Sequence, residues 1–286
     1  MHIGKTGIWS PELRLHPDPV EIHEAAAELD QHGWGALWIP GLGGGDILGD
    51  AERLLRATEN ATVATGVLSI WRHPAAETAE GHARLRRAYD HRLLLGLGVS
   101  DAAAARHAGG TYRPLAALDS YLDALDLAKE PVPAEERVVA AMGPKLTELA
   151  RRRSAGTHPF LVTPEFTAGA RADLGPGPLL APYQAVVVDA DPERARETAR
   201  GFLSPFIGMG HYAKSLLRQG FTEDDLSDGG SDRLIDAVVA WGDIDAIGER
   251  IRAHHDAGAS HVALHAIGAG GGLPLTAWRQ LAPLAR

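Results

Sequence analysis

A (β/α)8 barrel, the TIM barrel of class α/β, is the fold this sequence predicts. Eight short apolar runs recur along the chain. Most of them end in glycine, proline or a polar turn and lead into a stretch with helical spacing. The length of 286 residues fits one such barrel with modest additions, since the fold typically takes about 250. A barrel places its chemistry at the carboxyl ends of its strands, so these ends form a set of candidate site segments.

The first strand is expected over Ile3–Trp9, and Pro17–His32 reads as a helix closed by Gly33. Strand 2 is Ala36–Pro40. The β-branched run Ala61–Val67 is strand 3, followed by a helix over Pro74–Arg87 with proline near its first turn. Strand 4, Leu93–Gly98, is almost wholly apolar, as a strand buried on both faces should be. Leu118, Tyr121, Leu122 and Leu125 recur at three- and four-residue intervals and mark the next helix. Val138–Ala141 is strand 5, with a short helix from Gly143-Pro144 to Arg153. Pro159–Val162 is strand 6 and Ala185–Val188 is strand 7. Pro192 to about Gly210 and His211–Gln219 form a long helical segment in two pieces. Phe221–Ser231 is acidic and glycine-containing, a surface excursion. Ile244, Ile247 and Ile251 mark a helix ending at Gly258. His261–His265 is strand 8, Gly268–Gly272 is a loop, and a short helix ends the chain. No low-complexity linker interrupts the series, which predicts one domain over residues 1–286.

A Rossmann-type open sheet is the rival. Its phosphate-binding fingerprint, G-x-G-x-x-G after the first strand, is missing. The glycine-rich Gly41–Asp46 has other spacing and follows the second strand.

Composition excludes several function classes. A net charge of −9 argues against nucleic acid as a partner, because phosphate neutralisation needs a basic surface. The absence of cysteine removes disulfides, thiolate metal sites and cysteine nucleophiles. No apolar run is long enough to span a bilayer, and no signal-peptide pattern opens the chain, so a cytoplasmic protein is expected. Despite 14 histidines there is neither H-x-H nor H-E-x-x-H, and no metal is expected. G-x-S-x-G and P-loop patterns are also absent.

The strand ends then offer specific chemistry. Met142-Gly143-Pro144-Lys145 follows strand 5. Glycine lets backbone approach a ligand, proline suits a first helical position, and open helix amides attract an anion. The turn reads as a phosphate cradle or as an ordinary strand-to-helix turn. Leu68, Ile70 and Trp71 after strand 3 either pave a pocket for a flat ring, leaving Arg72 and His73 as polar handles, or pack beneath the next helix. Asp101 stands where barrels place an acid, and also where an aspartate would cap a helix. His261 and His265 share one face of strand 8 by the two-residue period. His265, nearer the chemical end, is either a proton-handling group or a buried, hydrogen-bonded histidine.

Several segments, taken in order, resemble the luciferase-like monooxygenase superfamily, in particular its coenzyme F420-dependent oxidoreductase branch. They are Thr65–Pro74, Leu95–Ser100, Arg113–Leu115, Tyr121–Leu125, Ala141–Lys145, Ala155–Glu165, Ala170-Arg171 and Ala257–Val262. The resemblance implies a bacterial luciferase-like barrel with a deazaflavin ring over its mouth. It also implies a non-prolyl cis peptide at Gly66-Val67 or beside it, and a cofactor phosphate near Gly143, Pro144, Lys145 and Thr163. The cofactor-binding set it implies is Thr65, Gly66, Val67, Gly98, Ser100, Met142, Gly143, Pro144, Lys145 and Thr163, with Asp101, His73 and His265 as candidates for the proton. The pattern also departs from relatives. The strand-2 end, where they often carry an acid or a histidine, is mostly glycine here. Ser100-Asp101 stands where a glutamate is common, and Pro164-Glu165-Phe166 where some have a lysine. The expected activity is hydride transfer between the deazaflavin C5 and a small organic substrate, in a homodimer. The alternatives are an FMN-dependent monooxygenase using oxygen, a protein that binds a flavin without turnover, and a barrel that has lost the cofactor and serves only in assembly.

Overall fold

The computed structural model describes residues 3–42, 45–100, 102–109, 111–268, 270 and 272–285. Its strands are β1 (Thr6–Trp9), β2 (Ala36–Ile39), β3 (Thr62–Thr65), β4 (Leu68–Ser69), β5 (Leu93–Gly98), β6 (Arg137–Val139), β7 (Gly156–Thr157), β8 (Leu179–Leu180), β9 (Tyr183–Val187), β10 (Val239–Trp241) and β11 (Val262–Ala266). The helices are α1 (Glu12–Leu15), α2 (Pro19–Gln31), α3 (Ile47–Ala57), α4 (Ala75–Ala88), α5 (Ala102–His107), α6 (Pro114–Asp126), α7 (Pro144–Arg153), α8 (Pro164–Leu174), α9 (Pro192–Ile207), α10 (Gly210–Arg218), α11 (Asp232–Val238), α12 (Ile244–Asp256) and α13 (Leu275–Leu281).

The strands are parallel and run in the order β10-β9-β11-β1-β2-β3-β5-β6-β7-β8, with β4 paired to β5. Only Ala181 and Pro182 separate β8 from β9. β8 pairs with β7 while β9, next to the far end of the order, pairs with β11, so one continuous stretch of chain carries the sheet round and closes the (β/α)8 barrel. The interior is filled by rings. Trp38 stacks on His158 at 4.3 Å and donates from Nε1 to His261 Nε2 at 3.0 Å.

The strands depart from expectation at four places. The apolar run Pro159–Val162 is not a strand. The sixth strand is the preceding Gly156-Thr157, because Pro159 has no N–H to donate and Leu161 takes a left-handed φ of 54°, turning the chain across the mouth. Strand 3 is split, β3 and β4 flanking Gly66-Val67. β10 was not foreseen. It takes the free edge of β9, where strand 6 has already turned away. The first strand also begins later than expected, at Thr6.

The excursion after α10 is fastened by one buried carboxylate. Asp225 accepts from Thr222 N and Oγ1, both at 2.9 Å, and from Ser231 Oγ at 2.7 Å. The Thr222 amide, then Ser231, hold its pKa down at about 2. Several helices start on side-chain caps, among them Asp18 for α2, Thr163 for α8, Asp191 for α9 and Asp243 for α12. These caps fix where each loop ends and therefore which residues face the mouth.

Candidate active site at the barrel mouth

The Gly66-Val67 peptide is cis, at the bond named from the sequence. Its neighbours are tied on every side. Gly66 N donates to Ile39 O at 2.8 Å, and Gly66 O accepts from Trp9 Nε1 at 3.0 Å. Val67 O accepts from Gly41 N at 3.1 Å. Thr65 Oγ1 donates to Gly96 O at 2.8 Å and accepts from Gly96 N at 2.7 Å. Glycines make the room. A Cβ would lie 2.4 Å from Val67 O at Gly41, 1.9 Å from Thr65 O at Gly96, and 2.5 Å from Val67 Cγ2 at Gly98. The first glycine of the strand-2 end therefore has a packing reason: a side chain there would strike the Val67 carbonyl.

Beside this floor stands an aromatic wall. Trp9, at the end of β1, packs against Tyr183 at 5.0 Å and His265 at 4.8 Å between ring centroids. Phe160, on the turned segment after β7, contacts Tyr183 at 4.2 Å, Phe206 at 5.2 Å and Tyr212 at 5.3 Å. Phe202 and Phe206 come from α9 and Tyr212 from α10, so the long helical pair between β9 and β10 folds back over the mouth. Phe160, Phe202, Phe206 and Tyr212 are only partly buried. Two polar groups border the wall. Tyr183 Oη and His265 Nδ1 are hydrogen-bonded at 2.6 Å. Burial pushes the Tyr183 phenol well above its ordinary value and the His265 imidazole down to about 3, so both are neutral at pH 7. Glu12, three residues past Trp9, accepts a 2.6 Å hydrogen bond from the fully buried Ser10 hydroxyl. Sequence reading missed this carboxylate because it lies on a helix of only four residues.

The turn after β6 is the third part. Gly143 caps α7 in an extended conformation and Pro144 follows, as the sequence suggested. Pro144 and Lys145 are exposed, and Met142 and Gly143 are partly so. Arg218, at the end of α10, donates from Nη2 to Met142 O at 2.9 Å and sets its guanidinium beside Gly143. A cation thus joins the N-terminus of α7, and no local sequence signal placed it there. Thr163 serves differently. Its hydroxyl caps α8 at Phe166 N and its own amide donates to Gln219 Oε1 at 3.0 Å, so that amide is already committed.

The remaining candidates are spread around the rim. Leu68 and Ile70 belong to the core under the helix layer, and Trp71 Nε1 donates to Val99 O at 2.6 Å. That segment packs more than it paves. His73 is half-buried, its pKa lowered by burial and then by the nearby Arg14 guanidinium. Arg14 is itself buried against Asp50 at 2.6 Å and the Pro40 carbonyl at 3.0 Å. Ser100 is exposed with φ 48°, and its carbonyl accepts from Tyr112 Oη at 3.1 Å. Gly98 ends β5 against Val67. Asp101 lies outside the described residues. Among the described residues no group of three or more His, Asp or Glu side chains is placed to hold a metal, and no helix is long and apolar enough to cross a membrane.

No family model and no curated protein matches the sequence. Solved structures do. An F420-dependent secondary alcohol dehydrogenase in complex with an F420-acetone adduct superposes with a TM-score of 0.75 at 15% identity, over 99% of each chain. The coenzyme F420-dependent tetrahydromethanopterin reductase of Methanopyrus kandleri gives 0.72 at 15%, over 100% of this chain and 98% of its own. The oxygenating constituent of 3,6-diketocamphane monooxygenase from Pseudomonas putida, in complex with FMN, gives 0.71 at 15%, over 99% and 97%. At such identities the likeness is one of fold, and over its whole length this chain has the barrel fold of the luciferase-like oxidoreductases and monooxygenases.

Proposed function

We propose that this protein is an oxidoreductase of the luciferase-like superfamily that uses coenzyme F420 to exchange a hydride with a small organic substrate. The observation that carries this reading is the arrangement of the mouth. One helix, α10, joins the aromatic wall to the turn at the N-terminus of α7, supplying Tyr212 to the wall and the Arg218 cation to the turn. Six residues of helix span roughly 9 Å, a fitting separation between a planar ring and its phosphate-bearing tail.

The residues present suit such a cofactor. Adding a Cβ at Gly41 or Gly98 would push against Val67, where a flat ring would rest. Arg218, Lys145 and the N-terminus of α7 would hold a phosphate. When bound, F420 supplies the hydride at its C5. The chain supplies the rest. Trp9, Phe160, Phe202 and Phe206 keep water from the reacting face. Glu12, fixed by Ser10, and His265 border the substrate side and are the best-placed groups to accept or donate a hydrogen bond there. His73, on another loop of the rim, stays a secondary candidate, as does Asp101, which lies outside the described residues. A homodimer belongs to the same reading.

Fluorescence titration of the purified protein with F420, and with FMN in parallel, tests it. F420 is expected to bind tightly and FMN weakly. In Arg218→Ala the F420 dissociation constant should rise about 10- to 100-fold, the effect of losing one charge-assisted hydrogen bond of about 1.5–3 kcal/mol. Added salt should shrink that difference. Tight FMN binding with weak F420 binding would replace the reading by an oxygen-using monooxygenase, and binding of neither would remove the cofactor from it.

A further inference from the structure

Among the described residues, the 2.6 Å contact between Tyr183 Oη and His265 Nδ1 is the one hydrogen bond recorded for either side chain. Both point into the barrel from adjacent strands. Tyr183 lies opposite Ala263 and His265 opposite Ala185, so the pair spans a diagonal of the β9–β11 ladder. Tyr183 is 1% exposed and His265 6%.

The direction of this bond follows from donor counting. A buried phenol O–H needs an acceptor, and His265 Nδ1 is the acceptor within reach. The imidazole is neutral, because burial holds its pKa near about 3. A neutral imidazole has one donor nitrogen and one acceptor nitrogen. If Nδ1 accepts from the phenol, the ring proton is on Nε2.

We propose that Tyr183 is a positioning residue that fixes His265 as its Nε2–H tautomer, so that the mouth presents a neutral hydrogen-bond donor to an uncharged oxygen acceptor of the substrate. The substrate role rests on the function proposed above, whereas the tautomer assignment does not. The surroundings suit an uncharged group. His265 is flanked by the rings of Trp9 at 4.8 Å and Phe202 at 5.5 Å. A neutral N–H in such apolar surroundings avoids the cost of burying a charge. It also stabilises an oxygen on which negative charge grows during hydride transfer, provided it is aimed beforehand. The phenol does the aiming, as the partner of one histidine nitrogen generally sets the state of the other.

The test is nitrogen NMR of the full-length protein with labelled histidine, the His265 ring being assigned through its contacts with the Trp9 and Phe202 ring protons. Near neutral pH the wild type should show a protonated Nε2 and a hydrogen-bonded, unprotonated Nδ1. In Tyr183→Phe the Nδ1 resonance should move and the two tautomers should mix, while F420 affinity is unchanged and kcat for its oxidation or reduction falls. A proton on Nδ1, or an imidazolium, in the wild type would overturn the assignment without any variant. So would a Tyr183→Phe protein whose two ring nitrogens keep their wild-type shifts, since a merely structural phenol could lower stability but would leave the tautomer alone. Failure of F420 to bind would sink the cofactor reading and leave the tautomer result standing.

Discussion

Acidification from pH 7 to about pH 5 should remove most of the stability of this protein, well before its carboxylates titrate. Five buried histidines are responsible. Burial lowers His82 and His158 to about 4 and His254, His261 and His265 to about 3. In the unfolded chain the same groups titrate near 6.5. The folded pKa values lie below the unfolded ones, so the unfolded chain binds more protons as the pH falls. Stability is therefore intact above about pH 6.5 and drains away between there and pH 4 to 3. Each such histidine costs up to about 1.4 kcal/mol per pH unit in that window, or roughly 2 kcal/mol by pH 5. Five together reach on the order of 10 kcal/mol, comparable with the whole stability of a typical domain, about 5–15 kcal/mol. Urea unfolding between pH 8 and pH 5, followed by tryptophan fluorescence, would show the midpoint falling steeply. A midpoint that stays flat to pH 5 would mean that these histidines are protonated in the fold, which would also undo the neutral state assigned to His265.

These histidines also show what the sequence could and could not disclose. His261 and His265 were legible as one face of a strand, because a strand alternates its side chains by geometry alone. That His261 faces Trp38 and His265 faces Tyr183 depends on which strands are neighbours and in what register, and neither is written in the local pattern. The barrel itself was legible because strands buried on both faces read as apolar runs. The pattern failed where apolarity and strand part company. Pro159–Val162 is buried or nearly so, yet it crosses the mouth as a turn, and Gly156-Thr157 pairs as a strand with no apolar signature. At the site, the turn after β6 was legible as a local segment, whereas the cis bond at Gly66-Val67 was implied only by the family resemblance. Phe202, Phe206, Tyr212 and Arg218 were not, since a helix's own sequence does not say that it folds back over a barrel mouth. Thr163 shows the reverse case, a residue that the family resemblance placed near a phosphate and whose amide is taken by Gln219, just past α10.

Gly96→Ala should be among the most damaging single-methyl additions in this chain. The new Cβ would lie 1.9 Å from the Thr65 carbonyl oxygen, a backbone atom in the strand beside it. Neither partner has room to yield. Val63 and Ala64 of β3 are paired with Leu93 and Leu94 of β5, and Thr65 Oγ1 is bonded to both polar atoms of the Gly96 backbone. Overpacking of a core costs about 1–3 kcal/mol when side chains can shift. A clash with fixed backbone belongs at or above the upper end, about 3 kcal/mol, equivalent to a fall in Tm of roughly 6–12 °C. Gly98→Ala should be milder for stability, because its Cβ meets a side-chain methyl, Val67 Cγ2 at 2.5 Å, which can move. Its cost should appear instead in F420 affinity, through displacement of Val67 on the floor of the mouth. Gly169→Ala is the control, on an exposed face of α8 with nothing within 4 Å of the added carbon. There the same substitution should stabilise the protein by up to about 1 kcal/mol, the ordinary helix preference for alanine. Denaturant midpoints for the three variants, measured beside F420 titrations, separate the two effects. If Gly96→Ala keeps its stability within about 1 kcal/mol of wild type and Gly98→Ala binds F420 normally, the β3–β5 contact is soft. The glycines would then not be what shapes the floor on which the proposed ring rests.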